Sequence, residues 1–521
     1  MAGGTLRVNL CEAIEGACRR FADRVALIEH REGGDRRVRY AELYELALAV
    51  RAAWHARGLR PDDRVAVLFD NSLALVATEW ACLFGGGIWV ALSPRWSPAE
   101  CSAILADCRP KLLLAAARHR ELAEAIDLPA GCRRVLVVEG REREILAGRQ
   151  SPARERRLLR GDEAVRIRYT SGTAGFPKGA VITRANYEAS VEAVTSVLGP
   201  IEAHDTVVQV APMTHAAGAM LVPHLLAGAR ALLLQRFEPK SFIELVCRYR
   251  GTAVFLVPTM LVRLLDALED PRSLESLRTI VYGGAPMPVD RLVAALERLG
   301  PVFVQIYGLT ESSWPVTALA KSDHVRKPGE SAQRWHARLA SCGRPTEVGE
   351  LRIVTADGRD ARPGEVGEIW VRGRNTMKGY WGGAVDKAGK GLDAHGWMHT
   401  GDLGFRDAEG FVTIVDRLHD MIVTGGFNVY PREVEQALSS HPAVLECAVV
   451  GRPHPDWGEA VHGFVVLKPG AAAEPSELIE HVGRQLAAYK KPKAIEIVGA
   501  LPKTASGKIL RRVLRERLRG S

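Results

Sequence analysis

Apolar residues recur at helical spacing over residues 40–57, 98–107 and 289–298, with charged residues between them, and predict amphipathic helices. Short runs rich in β-branched residues at 64–68, 111–115, 134–138, 206–210, 253–257, 279–282 and 302–305 predict strands. Residues 164–169 alternate and predict another. Strands alternating with helices call for an α/β core with mostly parallel sheets. From 349 the pattern changes: runs at 349–355, 367–372 and 410–415 lie between Gly and Pro turns and predict a smaller β-rich subdomain. Past Asp416 it changes again, to a helix at 431–439, strands at 444–450 and 461–467, and a helix at 476–486. This α+β unit predicts a separate domain over 417–521, after a core over 1–416. The longest apolar stretch, 80–92, contains Gly85, Gly86 and Gly87; it is too short to span a bilayer and reads as buried core. The Arg-rich stretch 140–161 reads as an exposed connector.

Composition narrows the class. The chain has 521 residues, 47% hydrophobic and 25% charged, which fits a globular protein of more than one domain. The first ten residues lack the apolar core of a secretory signal. Nine scattered cysteines show no metal-ligand spacing, so buried thiols in a reducing cytoplasm are expected. The formal charge is +9, with Arg dense over 141–160 and 511–519. No nucleic-acid motif accompanies these patches, so nucleic acid is not expected as a partner. They read as solvated basic faces, with attraction for anionic substrates or membrane surfaces as the second reading.

The candidate chemistry starts at residues 169–179, Tyr-Thr-Ser-Gly-Thr-Ala-Gly-Phe-Pro-Lys-Gly. Hydroxyls from Thr170, Ser171 and Thr173, backbone freed by Gly172 and Gly175, and the cation Lys178 are the parts of an anion cradle. A surface turn is the competing reading. The spacing is not that of a Walker A loop, so a P-loop NTPase is not supported. Four further segments stand downstream: Ala-Pro-Met-Thr-His-Ala-Ala-Gly at 211–218, Gln-Ile-Tyr-Gly-Leu-Thr-Glu at 305–311, His-Thr-Gly-Asp-Leu-Gly at 399–404 and Leu-Pro-Lys-Thr-Ala-Ser-Gly-Lys at 501–508. In this order the five closely resemble the adenylate-forming superfamily of acyl-CoA synthetases, carrier-protein adenylation domains and luciferases. The resemblance implies an α/β large N-terminal domain, with two sheets flanked by helices plus a β-rich subdomain, and a small mobile α+β C-terminal domain.

It also implies roles. The loop with Thr170, Ser171, Gly172, Thr173, Gly175 and Lys178 would clamp the β- and γ-phosphates of ATP. Glu311 would ligate Mg²⁺, with Thr310 on phosphate. Tyr307 would pack on adenine, within Gln305, Ile306, Tyr307 and Gly308, while Gly284, Ala285 and Pro286 would wall the nucleotide and acyl pocket. Asp402 would accept from the ribose hydroxyls and Arg417 would add a ribose or phosphate contact. Lys508 would be the catalytic lysine, neutralising charge as carboxylate meets α-phosphate. No general base is needed, since the nucleophile is already a carboxylate at neutral pH. His215 resembles the gate between acyl and pantetheine channels. Coenzyme A would be met by Gly425, Gly426, Trp457, Tyr489 and Lys491, with Lys490 and Lys493 beside them. The hinge position is His419 where relatives carry Lys or Asp, which makes its charge depend on pH. Ala174 replaces a hydroxyl residue of relatives, and weaker ATP affinity is expected.

The acid is constrained by the lining Ala216, Ala217, Phe255, Ala285, Ile306, Gly308, Ser313 and Trp314, small or apolar and uncharged. Amino-acid-activating relatives have an acidic residue after the gate; here Ala216 and Ala217 follow, and an unpaired buried ammonium would be costly. A bulky hydrophobic monocarboxylate is expected: a medium- or long-chain fatty, aromatic or alicyclic acid. The expected enzyme is therefore an AMP-forming acyl-CoA synthetase using ATP, Mg²⁺ and coenzyme A. Two rivals are a stand-alone acyl-AMP ligase loading a carrier protein and a degenerate nucleotide-binding regulatory protein. A homodimer is compatible with the sequence.

Overall fold

The computed structural model describes residues 9–31, 33–148, 157–170, 178–383, 391–503 and 509–519. They divide into two compact units, one of residues 1–351 and 371–399, the other of 352–370 and 400–521. The larger unit holds two sheets. One has nine strands in the order Arg344–Pro345, Thr317–Leu319, Phe303–Tyr307, Thr279–Gly283, Ala253–Leu256, Thr206–Gln209, Arg230–Leu233, Val25–Glu29 and Arg36–Arg39. Its six central strands pair in parallel. Continuous Val, Ile and Leu runs suit strands covered on both faces, and Val208, Leu232, Val254 and Ile280 are buried with helix residues Phe242, Leu261 and Leu292.

The second sheet has seven strands in the order Gly379–Tyr380, Lys178–Thr183, Ala164–Thr170, Ile88–Ala91, Arg64–Leu68, Leu112–Ala116 and Arg133–Val137. The expected 98–107 helix is Pro98–Cys108. Ser97 starts it, its Oγ accepting from Glu100 N at 3.2 Å while Glu100 Oε2 accepts from Ser97 N at 2.8 Å. The apolar 80–92 stretch is core, as expected, folded as the end of helix Leu73–Ala81, a kinked turn Cys82–Gly86 and the strand Ile88–Ala91. The 140–161 stretch departs from an exposed connector. Its turn Arg143–Ala147 buries Leu146 and Ala147, and buried Glu142 takes Arg36 at 2.6 Å. Arg density misled there because the apolar pair Leu146–Ala147 packs beneath a charged shell.

In the smaller unit, strand Met398–Arg406 pairs with Val412–Arg417 and sets Asp402 opposite Arg417. Beyond them lies a sheet ordered Phe427–Val429, Ile422–Thr424, Gly458–Leu467 and Val444–His454, with Ala494–Ile497 parallel to Gly458–Leu467. Helices Pro431–Ser439 and Pro475–Gly483 bury Val434, Leu438, Leu478 and Val482 against Val449, Val461 and Val465. Helix Arg511–Arg519 packs Leu514 and Leu518 with Val450 and Phe464. All nine cysteines are thiols. No helix of the described residues is long and apolar enough to cross a membrane.

Candidate active site

Strands Ala164–Thr170 and Lys178–Thr183 form an antiparallel pair that sets Thr170 opposite Lys178. The segment carrying Ser171, Gly172, Thr173, Ala174 and Gly175 joins those two positions and lies outside the described residues. Next to Lys178–Thr183, the two-residue strand Gly379–Tyr380 pairs Tyr380 with Ala180. That register delivers the Tyr380 phenol to Glu311, donating to Oε1 at 2.9 Å, while Lys178 Nζ lies 5.7 Å from the centre of the same ring. Glu311 is only 9% exposed. Its backbone carbonyl accepts from Met377 N at 2.7 Å. A cation, a phenol and a buried carboxylate thus converge beside the junction of the strand pair. Thr310 precedes Glu311 in the short turn Thr310–Ser312, held by Ser312 Oγ accepting from Leu309 N at 3.1 Å.

Two loops leave the carboxyl ends of neighbouring parallel strands, where α/β sheets present their ligands. The first follows Thr279–Gly283. Gly283 lies against Ile306 so closely that a Cβ would meet its carbonyl oxygen at 2.3 Å, which requires glycine there. Gly284, Ala285 and Pro286 then emerge exposed. The second follows Phe303–Tyr307. Ile306 is buried, Tyr307 and Gly308 are half-buried, and a Cβ on Gly308 would stand 2.9 Å from Trp314 Cβ. Gln305 Oε1 is buried without a hydrogen-bond partner among the described residues, as is Ser313 Oγ. Buried acceptors of this kind ordinarily find partners, so Gln305 fits a ligand that donates. Trp314 and buried Phe255 pack at 6.2 Å between ring centres. Under the first loop, buried Tyr282 bonds His324 Nε2 at 3.0 Å, and His324 Nδ1 donates to Ala320 O at 2.8 Å. Burial pushes the His324 pKa down to about 4.

His215 is exposed at the head of the turn Ala216–Met220, its Nδ1 at 2.9 Å from Thr214 Oγ1; Ala216 and Ala217 are buried behind it. Its turn is fixed by a residue that the sequence reading passed over. Buried Asn71 donates to Gln209 O, Ala211 O and Leu234 O at 3.0, 3.0 and 3.1 Å, and accepts from Met213 N at 2.8 Å. A cleft beside the turn is lined by Ala91, Trp96, Arg168, Thr214, His215, Thr310 and Trp314, among others. Of the expected acyl lining, Trp314 is in this wall. Arg168, which is not among the residues of that expected lining, stands in the same wall. The strand 164–169 was read for its alternation alone, which hides which side chain faces a cleft.

In the smaller unit, Asp402 is 7% exposed, and Arg417 Nε lies 3.6 Å from its Oδ1. Asp416 accepts from Arg417 N and Arg432 N, both at 2.7 Å, and burial pushes its pKa up. His419 is exposed, its carbonyl taking Arg515 at 3.0 Å. Beside it, Asp420 pairs with Arg511 at 3.2 Å and Arg515 at 2.9 Å, and Arg511 also pairs with Glu435 at 2.7 Å. Gly425 and Gly426 turn at positive φ (55° and 80°), with Gly425 N donating to Trp457 O at 2.9 Å. Trp457 stacks on His454 at 4.1 Å and 8°, with Lys493 Nζ 4.9 Å from its ring centre. Tyr489 stacks on Phe427 at 4.8 Å. Lys490 is held by Glu433 at 2.6 Å, while half-buried Lys491 lies against Gly483. This face offers exposed aromatic rings with cations over them. Lys508 lies outside the described residues.

The AMP-binding enzyme family matches residues 14–381, and the AMP-binding enzyme C-terminal domain matches residues 433–508. A feruloyl-CoA synthase of an Amycolatopsis species is 38% identical over 482 residues, 92% of this chain and 93% of that protein. A medium/long-chain-fatty-acid–CoA ligase of Mycobacterium tuberculosis is 38% identical over 364 residues, 68% of this chain and 62% of that protein. The solved o-succinylbenzoate CoA synthetase of Bacillus subtilis, in complex with its acyl-adenylate intermediate, superposes with a TM-score of 0.83 at 30% identity, covering 96% of this chain and 97% of that one.

Proposed function

The chain belongs to the AMP-binding enzyme family, and we propose that its residues divide the work of an ATP-dependent acyl-CoA synthetase as follows. The enzyme joins a fatty or aromatic acid to coenzyme A in two steps. A carboxylate oxygen attacks the α-phosphate of ATP, the bond to the β-phosphate breaks, and pyrophosphate leaves. The thiol sulfur of coenzyme A then attacks the acyl carbon, its proton is lost, and AMP leaves. Both partners of the first step are anions, so their approach costs Coulomb energy. Lys178 and the loop between Thr170 and Lys178 hold the departing pyrophosphate. Thr310 meets the phosphates, and Lys508 stabilises the charge at the α-phosphate. Tyr307, Gln305 and the exposed Gly284–Pro286 loop receive adenine, while Asp402 and Arg417 take the ribose.

The donor set fits Mg²⁺. Among the described residues no three His, Cys, Asp or Glu cluster as a protein cage, and Mg²⁺ is ordinarily bound through one or two carboxylates plus substrate phosphates. Glu311 would hold it, and when bound it would draw charge from the phosphate oxygens. Tyr380 orients that carboxylate.

The observation that carries this division is the meeting of Lys178, Tyr380 and Glu311 beside the strand junction. His215 gates the thiol's approach, with Gly425, Gly426, Trp457, Tyr489 and Lys491 guiding coenzyme A and His419 as the hinge. The exposed aromatic face of the smaller unit favours coenzyme A over a carrier protein, since an adenine ring stacks on such a surface. The paired tryptophan and phenylalanine near the cleft favour an aromatic acid. Nine thiols support a reducing cytoplasm as its setting. Light scattering reads its assembly state, for which a homodimer is one compatible outcome.

The test is pyrophosphate release with ATP, Mg²⁺ and a panel of fatty, aromatic and alicyclic acids, followed by thioester detection. Acid-dependent release with thioester formed on coenzyme A is expected. Thioester formed only on a phosphopantetheinylated carrier would replace coenzyme A as acceptor. Lys508→Ala is expected to abolish pyrophosphate release while still converting supplied acyl-AMP to thioester; equal loss of both steps would remove the lysine from this role.

A further inference from the structure

Arg166 and Arg168 lie two residues apart on the strand Ala164–Thr170, and so on one side of its pleat. Their surroundings differ. Arg166 is buried beside a counter-charge: it pairs with Glu79, and its guanidinium centre lies 3.8 Å from the ring centre of Tyr187 and 5.3 Å from that of Trp89, although its own Nε also lacks a hydrogen-bond partner among the described residues. Arg168 is half-buried and unanswered. Its Nε is sealed from solvent without a hydrogen-bond partner, and among the described residues no carboxylate pairs with it. Burial, and secondarily Arg166, push its pKa down to about 9. A charged group enclosed in this way is costly unless a counter-charge arrives.

Arg168 has an outlet in the cleft. It shares the wall with the hydroxyls of Thr214 and Thr310, the imidazole of His215 and the rings of Trp96 and Trp314. No Asp or Glu is among the lining residues. The lining thus combines donors and a cation with aromatic surface. That combination suits a molecule with an anionic oxygen on an apolar body, and the planar fork of a guanidinium matches the two oxygens of a carboxylate. We propose that Arg168 binds a carboxylate of the acid substrate in this cleft and so selects the acids the enzyme activates. The inference rests on the acyl-CoA synthetase reading. The carboxylate has two sources, the reacting group itself or a second acidic group on the same molecule.

The experiment measures KM for acid and for ATP by pyrophosphate release in the wild type, R168Q and R168K. Matched pairs serve as probes: hexanoate with adipate, and cinnamate with 4-carboxycinnamate. R168Q is expected to raise the acid KM about tenfold or more, the loss of a charge-assisted contact, with ATP KM changed less than about twofold. R168K, which keeps a cation, is expected to recover part of the loss, as a variant with a damaged fold would not. A rise for every acid assigns Arg168 to the reacting carboxylate; a rise confined to adipate and 4-carboxycinnamate assigns it to a second acidic group. An acid KM unchanged across both pairs, or parallel rises for acid and ATP, would overturn the proposal. A wild type that releases no pyrophosphate with any acid would strike the synthetase reading itself. Calorimetric binding of the same acids to wild type and R168Q then decides for Arg168 alone: weaker binding to R168Q supports it, and equal binding overturns it.

Discussion

Tyr380 presents a phenol to Glu311 from a strand only two residues long. A hydrogen bond to a charged acceptor contributes about 1.5–3 kcal/mol. Tyr380→Phe is therefore expected to weaken apparent Mg²⁺ affinity in pyrophosphate release by roughly tenfold. A Mg²⁺ titration of the variant checks this, and an unchanged midpoint would deny Tyr380 a part in presenting the carboxylate. His324 adds a second residue-scale effect. Its folded pKa is about 4 against an ordinary value of 6.5, so the unfolded chain binds the proton more tightly. Stability falls as pH drops from about 6.5 towards about 4, and no further below that. Denaturant unfolding at pH 7 and pH 5 is expected to show that loss, and His324→Gln is expected to shrink the difference. Because His324 supports Tyr282, at the root of the Gly284–Pro286 loop, ATP KM is expected to rise only as pH approaches about 4, where the folded enzyme itself takes the proton. Neither Tyr380 nor His324 was legible in the sequence: each acts through a partner distant along the chain, and neither belongs to a local pattern.

At the scale of elements, the sequence was a good guide where burial is continuous. Strands Thr206–Gln209, Ala253–Leu256 and Thr279–Gly283, central in the nine-stranded sheet, are buried throughout, and their runs stand out without knowledge of their neighbours. Helix Pro98–Cys108 announced itself through its apolar spacing. Glu311 and Asp402 were found through their motifs, yet Arg168 was hidden, since strand alternation does not say which face opens on a cleft. Asn71 was hidden for another reason: it ties four backbone groups from two segments distant from it along the chain. Asn71→Leu would strip Met213 N of its Asn71 acceptor in the core, at about 1–3 kcal/mol. It is expected to lower the melting temperature by several degrees and to slow thioester formation more than adenylation; equal slowing would argue against a specific hold on the His215 turn. On the smaller unit, Trp457 is fixed between the Gly425 turn and His454. Stacking of a base on an aromatic side chain contributes about 1–3 kcal/mol, so Trp457→Ala is expected to raise the coenzyme A KM about tenfold. Pyrophosphate release trapped with hydroxylamine is expected to be unaffected.

At the scale of the whole molecule, two units with separate cores share the chemistry proposed above. The smaller one is bound internally by charge. Arg511 joins helix Arg511–Arg519 to Glu435 and to Asp420, the neighbour of His419. Removing one member of such a group strands the others, at up to about 3 kcal/mol. Arg511→Met is expected to lower the unfolding transition of the smaller unit while leaving that of the larger one in place, which calorimetry resolves as two separated peaks. A single shifted peak would mean that the units unfold together. The thiols have a practical consequence of their own. Burial pushes those of Cys18, Cys101, Cys108 and Cys447 up to about 12, where little of the reactive thiolate forms. Cys247, on helix Pro239–Tyr249, is the exposed one. A maleimide dye should therefore settle at a single natural position on the larger unit. With one cysteine introduced on the smaller unit, the wild-type background becomes a ready two-colour ruler for any rotation between them during turnover.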